Sequence, residues 1–262
     1  MEFKDIIIEH RGAVSWLYLN REKALNAISL NCMAELRTGL EQLRDRAETR
    51  VVVLSGKGRG FCAGADLSGA APPKIGEAPG GPSFLQLGEA MEAVLNNLTK
   101  PVIAAVNGIC CGGGIELALM ADFILAADTA KIGDAHANFG AMPGGGATAR
   151  LPRVVGLNMA RYMMFTGDLF PAAEMQAIGL VARVFPAAEF EAEVQKIAEK
   201  IAGKSPLGLA RMKQLLESGM DTPLAHALKQ EKAMSQLHMA SWDAGEGGRA
   251  FMEKRKPEFR GY

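Results

Sequence analysis

Two glycine-bearing turns hold the residues of this chain whose types and spacing suit chemistry. One is Phe61-Cys62-Ala63-Gly64-Ala65-Asp66-Leu67; the other is Gly112-Gly113-Gly114-Ile115-Glu116-Leu117. In the second, three glycines run straight into an apolar stretch read as a helix from Ile115 to Leu125. Glycine lets the backbone approach a ligand closely, and a helix N-terminus points unpaired N–H groups and a positive dipole end at it. Such a turn suits a small anionic oxygen, and one N–H from the first turn would complete a two-donor oxyanion hole. Glu116 falls in the first helical turn, where a carboxylate also steadies the dipole. The same glycines would serve tight strand–helix packing, and spacing alone leaves both uses open.

Other chemistries lose support. Gly56 to Phe61 lacks the G-x-G-x-x-G spacing, and Gly203-Lys204-Ser205 lacks the earlier glycine of a phosphate loop because position 198 is alanine. There is no G-x-S-x-G. The four histidines, His10, His136, His226 and His238, show no zinc spacing.

The elements that must position the turns follow from apolar patterning. Ile6–Glu9 and Val14–Leu19 read as a strand pair turning at Arg11-Gly12-Ala13. Residues 26–43 read as a helix with Ile28, Met33, Leu36, Leu40 and Leu43 on one face. Each glycine turn follows a β-branched run suited to a strand covered on both faces, Val51–Leu54 and Val102–Val106. A third apolar stretch is Phe123–Ala127. Strand, glycine turn and helix thus recur about every 50 residues, which favours a layered or spiral α/β arrangement. Residues 68–83, with four prolines and four glycines, read as a long loop of functional or mobile character. From about Ala187 the pattern is helical, over 189–202, 207–217 and 222–239, and reads as a packing unit or assembly surface.

Composition narrows the setting. At 262 residues, the chain suits one large domain or a domain with an appendage. Twenty-nine basic residues balance 29 acidic ones, so no electrostatic footprint for nucleic acid or an anionic membrane is present. Apolar runs are interrupted by charges such as Glu116 and Asp122, and no bilayer span is expected. From the first residues, neither a secretory signal nor a transit peptide is expected. Four cysteines without a C-x-x-C pair fit a reduced, cytoplasmic protein that uses them as core filler.

Across nearly its whole length the chain resembles the crotonase family, the enoyl-CoA hydratase/isomerase family. The likeness lies in REKALNAIS (21–29), GRGFCAGADL (58–67), KPVIAAVNGICCGGGIELALMADFILAA (100–127), MPGGGATARLPRVVG (142–156), TGDLFPAAEMQAIGLVARVFP (166–186) and FMEKRKPEF (251–259), in order. The resemblance implies an α/β spiral of ββα units over residues 1–190. A C-terminal helical oligomerisation segment, residues 191–262, would build a homotrimer or a hexamer of paired trimers. It implies an acyl-CoA thioester as substrate, with coenzyme A arriving on the substrate and no metal or other cofactor.

By motif match the oxyanion-hole amides are those of Ala65 and Gly113. Lys23, Ala24 and Leu25 would lie along the adenine and pantetheine portion, and Ala63, Asp66 and Leu67 flank the first donor. Lys254 would reach a CoA phosphate from a neighbouring subunit, and Phe251 would line the acyl or pantetheine pocket. Family hydratases hold a water between two glutamates. Glu116 matches the first. The second falls on His136, so the two-carboxylate clamp is not intact. Imidazole titrates near neutrality and can accept, hold or donate a proton beside Glu116; a histidine bonded to a backbone carbonyl is the plain structural alternative. Asp134 is a nearby alternative carboxylate that need not face the same way as His136, and Phe84 and Phe139 are candidate gates of the pocket. Enoyl-CoA hydration is the expected activity. The alternatives are an isomerase, a lyase or hydrolase of the same fold, and a non-catalytic acyl-CoA-binding homologue.

Overall fold

The structure, a computed structural model, describes residues 3–66, 68 and 83–262. Strands β1 (Ile6–Arg11) and β2 (Val14–Leu19) form the expected hairpin and lead through a short 3-10 turn (Glu22–Ala24) to α1 (Leu30–Asp45). Next come β3 (Val51–Gly56), β4 (Gly60–Cys62) and α2 (Phe84–Asn96), then β5 (Val102–Val106), β6 (Ile109–Cys111) and α3 (Gly113–Leu119). The following turn of the spiral is β7 (Phe123–Ala127), β8 (Lys131–Gly133), α4 (Ala147–Val155) and α5 (Leu157–Thr166). After it come β9 (Phe170–Pro171), α6 (Ala172–Ala177), β10 (Arg183–Phe185) and α7 (Phe190–Ala202). The chain closes with α8 (Pro206–Gly219), α9 (Leu224–Met239) and α10 (Trp242–Met252).

Three successive strand pairs, β3–β4, β5–β6 and β7–β8, each give the first strand to one sheet and the second to another. The larger sheet runs β1-β2-β3-β5-β7-β10 and the smaller β4-β6-β8-β9. All pairings from β2 to β10 are parallel, as are β4–β6 and β6–β8; β1–β2 and β8–β9 are antiparallel.

Alternation along the central strands explains their unbroken apolar runs. Val52, Leu54, Val102, Ala104 and Val106 pack on one face with α1, α2 and α3. Val51, Val53, Ile103 and Ala105 pack on the other with Trp16, Tyr18 and Val194 of α7. A strand buried on both faces needs apolar side chains at both phases of its two-residue period.

Four expectations change. Helix α1 begins at Leu30 rather than Asn26, because Asn26 has a left-handed backbone (φ 59°) and Ser29 caps the helix, its Oγ accepting from the Cys32 N–H at 3.0 Å. Helix α3 ends at Leu119, well before Leu125, because Asp122 ties the following turn to β5 and Phe123 opens β7. There the Val102 N–H donates to Asp122 Oδ2 at 2.6 Å and the Asp122 N–H to the Val102 carbonyl at 2.9 Å. The spiral units begin at Val51, Val102 and Phe123, so their spacing is uneven; the short α3 contracts the second unit. Finally, Phe190, Val194, Ala198 and Ala202 of α7 belong to the second core, which moves α7 into the sheet-bearing unit. The helical segment outside both cores begins at α8. In it, α9 buries none of its residues and exposes Leu224, Leu228, Leu237 and Met239.

Candidate active site

The two glycine turns meet at the C-terminal ends of β4 and β6. Ala65 is fixed by a bridge to Ile28: the Ile28 N–H donates to the Gly64 carbonyl (2.7 Å) and the Asp66 N–H to the Ile28 carbonyl (2.9 Å). These bonds leave the Ala65 N–H without an acceptor among the described residues. Gly113 is the first residue of α3, so its N–H has no partner within the helix. The two turns are close enough that a methyl built on Gly113 would stand 3.6 Å from the Ala65 amide nitrogen. Gly114 holds this approach: a side chain there would strike the Cys62 carbonyl oxygen at 2.2 Å.

Ala65 and Gly113 line a cavity of about 200 Å³. Its walls are largely apolar, with Met33, Phe84, Met91, Leu117 and Met120 among them, and Glu92, Glu116 and His136 are its charged or polar side chains. Glu116 is 6% exposed. Its Oε1 accepts the N–H of Gly145 at 2.7 Å and that of Ala147 at 3.2 Å, so its carboxylate sits at the N-terminus of α4 as well as in the first turn of α3. Gly145 is a close-approach residue, since a Cβ there would lie 2.9 Å from Glu116 Oε2. Oε2 remains and faces His136 Nε2 at 3.8 Å. That separation is too long for a direct hydrogen bond. A water bonded to both atoms at the usual length would span them at an angle of roughly 85°.

Among the described residues, His136 has no ring bond to a backbone carbonyl. Its Nδ1 lies 3.0 Å from Asp134 Oδ2, and its own backbone N–H donates to Asp134 Oδ1 at 3.2 Å. Asp134 therefore faces the same way as His136, an orientation that the spacing alone left open. The reason is Ala135, whose left-handed backbone (φ 58°) folds the two side chains onto one side. The hydrogen bond to Asp134 raises the pKa of the imidazole above its ordinary value, the charges of Asp134 and Glu116 add to this, and burial opposes it.

The remaining candidate residues are spread more widely. Lys23 and Ala24 lie in the 3-10 turn and Leu25 caps it with a left-handed backbone (φ 48°). The segment leans on the first glycine turn, the Ala63 N–H donating to the Leu25 carbonyl at 3.0 Å. Buried Asn26 holds it there: its Oδ1 accepts the Arg21 N–H at 2.8 Å, and its Nδ2 donates to the carbonyls of Lys57 (2.9 Å) and Gly60 (2.7 Å). Asp66 is engaged by Ser68 and by Arg21 Nη2 at 2.6 Å, and these bonds hold its carboxyl down at about 2. Phe84 lines the cavity; Phe139 points outward at 72% exposure. Phe251 is 82% exposed near the end of α10, and neither it nor Lys254 lines this chain's cavity. Leu67 and most of the 68–83 loop lie outside the described residues. Among the described residues no group of three or more His, Cys, Asp or Glu side chains is placed to hold a metal ion, and no helix is long and apolar enough to cross a membrane.

Sequence reasoning ranked Asp134 low and missed Asn26 and the amides of Gly145 and Ala147. The D-x-H spacing and the three glycines opening α4 were the available signals. Neither discloses that a left-handed alanine and a second helix N-terminus converge on Glu116 and His136.

Fold and site together define a ββα-spiral protein with a paired-amide pocket. The enoyl-CoA hydratase/isomerase family model matches residues 9–262. The chain is 37% identical over 260 residues to the crotonyl-CoA hydratase of Syntrophomonas wolfei, covering 99% of each. It is 36% identical over 259 residues to the short-chain-enoyl-CoA hydratase of Clostridium acetobutylicum, covering 98% of each. The crystal structure of an enoyl-CoA hydratase from Bacillus anthracis superposes with a TM-score of 0.91 at 36% identity, covering 99% of this chain and all of that one. The chain belongs to the enoyl-CoA hydratase/isomerase family.

Proposed function

We propose that this protein is an enoyl-CoA hydratase that adds water across the Cα=Cβ bond of a trans-2-enoyl-CoA. The observation that carries this is the placement of Glu116 Oε2 and His136 Nε2, 3.8 Å apart, in the cavity that Ala65 and Gly113 also line. The two amides hold the thioester oxygen and stabilise the enolate as charge develops there. Glu116, as carboxylate, takes a proton from the water whose oxygen bonds to Cβ. His136, as imidazolium, delivers a proton to Cα as the enolate collapses. The proton on Glu116 then passes to Nε2, which restores both groups with one water added overall. The raised affinity of His136 for its proton supports this assignment of acid and base.

Coenzyme A arrives with the substrate and no further cofactor enters the chemistry. Its adenine and pantetheine lie along Lys23, Ala24 and Leu25, with Ala63, Asp66 and Leu67 beside the thioester. Phe251 and Lys254 serve a neighbouring subunit's site in a cytoplasmic homotrimer or hexamer. The exposed apolar side chains of α9 support that assembly.

The test is to incubate the protein with crotonyl-CoA in deuterated water and follow it by NMR. The expected result is 3-hydroxybutyryl-CoA with deuterium at Cα. Migration of the double bond without hydration of any enoyl-CoA in a chain-length panel would replace the hydratase by an isomerase. CoA-ester binding with no exchange at Cα across that panel would reduce the protein to a binding homologue.

A further inference from the structure

We infer that Asp134 is a positioning residue: it fixes the proton of His136 on Nδ1, so that Nε2 is the nitrogen that gives and regains a proton in the cavity. This rests on the hydratase assignment only for its kinetic consequence.

The geometry leaves the carboxylate little freedom. Asp134 is 1% exposed and each of its oxygens has a task. Oδ1 accepts the His136 backbone N–H at 3.2 Å, and Oδ2 meets Nδ1 at 3.0 Å. A carboxylate only accepts, so the proton shared with Nδ1 belongs to the imidazole. When His136 is neutral, Nε2 must therefore carry the lone pair, and Nε2 is the atom that faces Glu116 Oε2. The main chain supports the same arrangement. The Asp134 carbonyl accepts the Gly112 N–H at 2.7 Å, so the residue that orients the imidazole also anchors the turn that presents the Gly113 amide. Between Asp134 and His136, Ala135 adopts a left-handed backbone that L-residues avoid, and it is this conformation that doubles the two side chains back on each other. Strain of this kind, held by surrounding bonds, is found where a site must be kept in one arrangement.

An amide cannot take over both tasks. In Asp134→Asn the side chain offers one acceptor and one donor. If the oxygen stays on the backbone N–H, the NH2 faces Nδ1 and moves the imidazole proton to Nε2. If the amide turns over, its NH2 opposes the backbone N–H.

The test reads the tautomer directly. The ¹⁵N shifts of the His136 ring are recorded in substrate-free protein, with the signal assigned by its loss in His136→Gln. The expected wild-type neutral form is protonated on Nδ1, and in Asp134→Asn it is protonated on Nε2. The kinetic arm is hydration of crotonyl-CoA. Asp134→Asn is expected to lower kcat at least 100-fold with KM within about threefold, as loss of a proton-transfer contribution requires. A wild-type ring protonated on Nε2 would overturn the inference, and that result stands even if Asp134→Asn proves insoluble. So would an Asp134→Asn protein whose kcat falls while the tautomer is unchanged, because Asp134 would then act only as a structural brace. If the wild-type protein hydrates no enoyl-CoA, the hydratase assignment fails alone, and the ring spectrum still decides the role of Asp134.

Discussion

Replacing Glu116 separates its chemical task from its structural one, because the two carboxylate oxygens do different things. Oε1 accepts the amides of Gly145 and Ala147, and Oε2 is left for proton transfer beside His136. In Glu116→Gln the amide oxygen can keep both acceptor bonds while the NH2 group takes the place of Oε2. The fold should be retained and the base lost. General acid–base catalysis contributes about 10²–10⁴-fold, so kcat should fall by that range, equivalent to about 3–5.5 kcal/mol of barrier. The melting temperature should stay within about 2 °C of wild type. Glu116→Ala removes both oxygens. The buried Ala147 N–H then lacks a partner, which costs about 1–3 kcal/mol. The Gly145 N–H is reachable by water and is discounted. At about 2–4 °C per kcal/mol for a chain of this size class, Glu116→Ala should melt roughly 2–12 °C lower and be as inactive as Glu116→Gln. The assay is initial-rate hydration of crotonyl-CoA beside a thermal melt of each variant. Activity of Glu116→Gln within tenfold of wild type would refute the proton-transfer role. A Glu116→Gln melting point as low as that of Glu116→Ala would refute the division of labour between the oxygens.

Three further outcomes follow from the packing and the ionisations. Gly114→Ala places a Cβ 2.2 Å from the Cys62 carbonyl oxygen, so α3 and β4 must part; we expect a loss of about 3 kcal/mol or more and a melting point roughly 6–12 °C lower, and an unchanged melt would contradict the close packing of the turns. The pKa of His136 is raised in the fold, so the folded protein binds that proton more tightly than the unfolded chain. The resulting stability is fully present below the ordinary imidazole value of about 6.5 and disappears as pH rises through the raised value. The unfolding free energy of wild type relative to His136→Gln should therefore shrink as pH increases above about 6.5, and a difference that grows would reverse the sign. Burial holds the Cys62 thiol up at about 12 and raises Cys32 and Cys110 as well, whereas Cys111 is only half-buried. At pH 8 a thiol reagent should label Cys111 first and the other three only after denaturation, which peptide mapping by mass spectrometry reads; early labelling of Cys62 would show that its cover opens.

The sequence by itself determined the layered α/β spiral and the two turns at its heart. Runs such as Val51–Leu54 and Val102–Val106 are apolar at every position, a pattern that only strands covered on both faces require, and the packing splits each run between two cores. The glycines before Glu116 marked a backbone that approaches another closely, and the Cys62 carbonyl behind Gly114 is that neighbour. That His136 falls where the family carries its second glutamate was legible from the resemblance. Element ends were less legible. Asn26 has adequate helical neighbours but is turned left-handed by bonds to residues some thirty positions away, and Asp122 ends α3 by bonding to β5. Tertiary structure alone decided how the site is wired. Asp134 and His136 are two residues apart, a spacing that in an extended strand would put both side chains on one face and in a helix would separate them. Neither applies, because the intervening alanine is left-handed and the surrounding bonds hold it there. Glu116 likewise gains its orientation from amides 29 and 31 residues away. Periodicity reports which face a side chain takes within its own element. Long-range hydrogen bonds between loops carry no period, so the partners of Glu116 and His136 emerge only when the chain is folded.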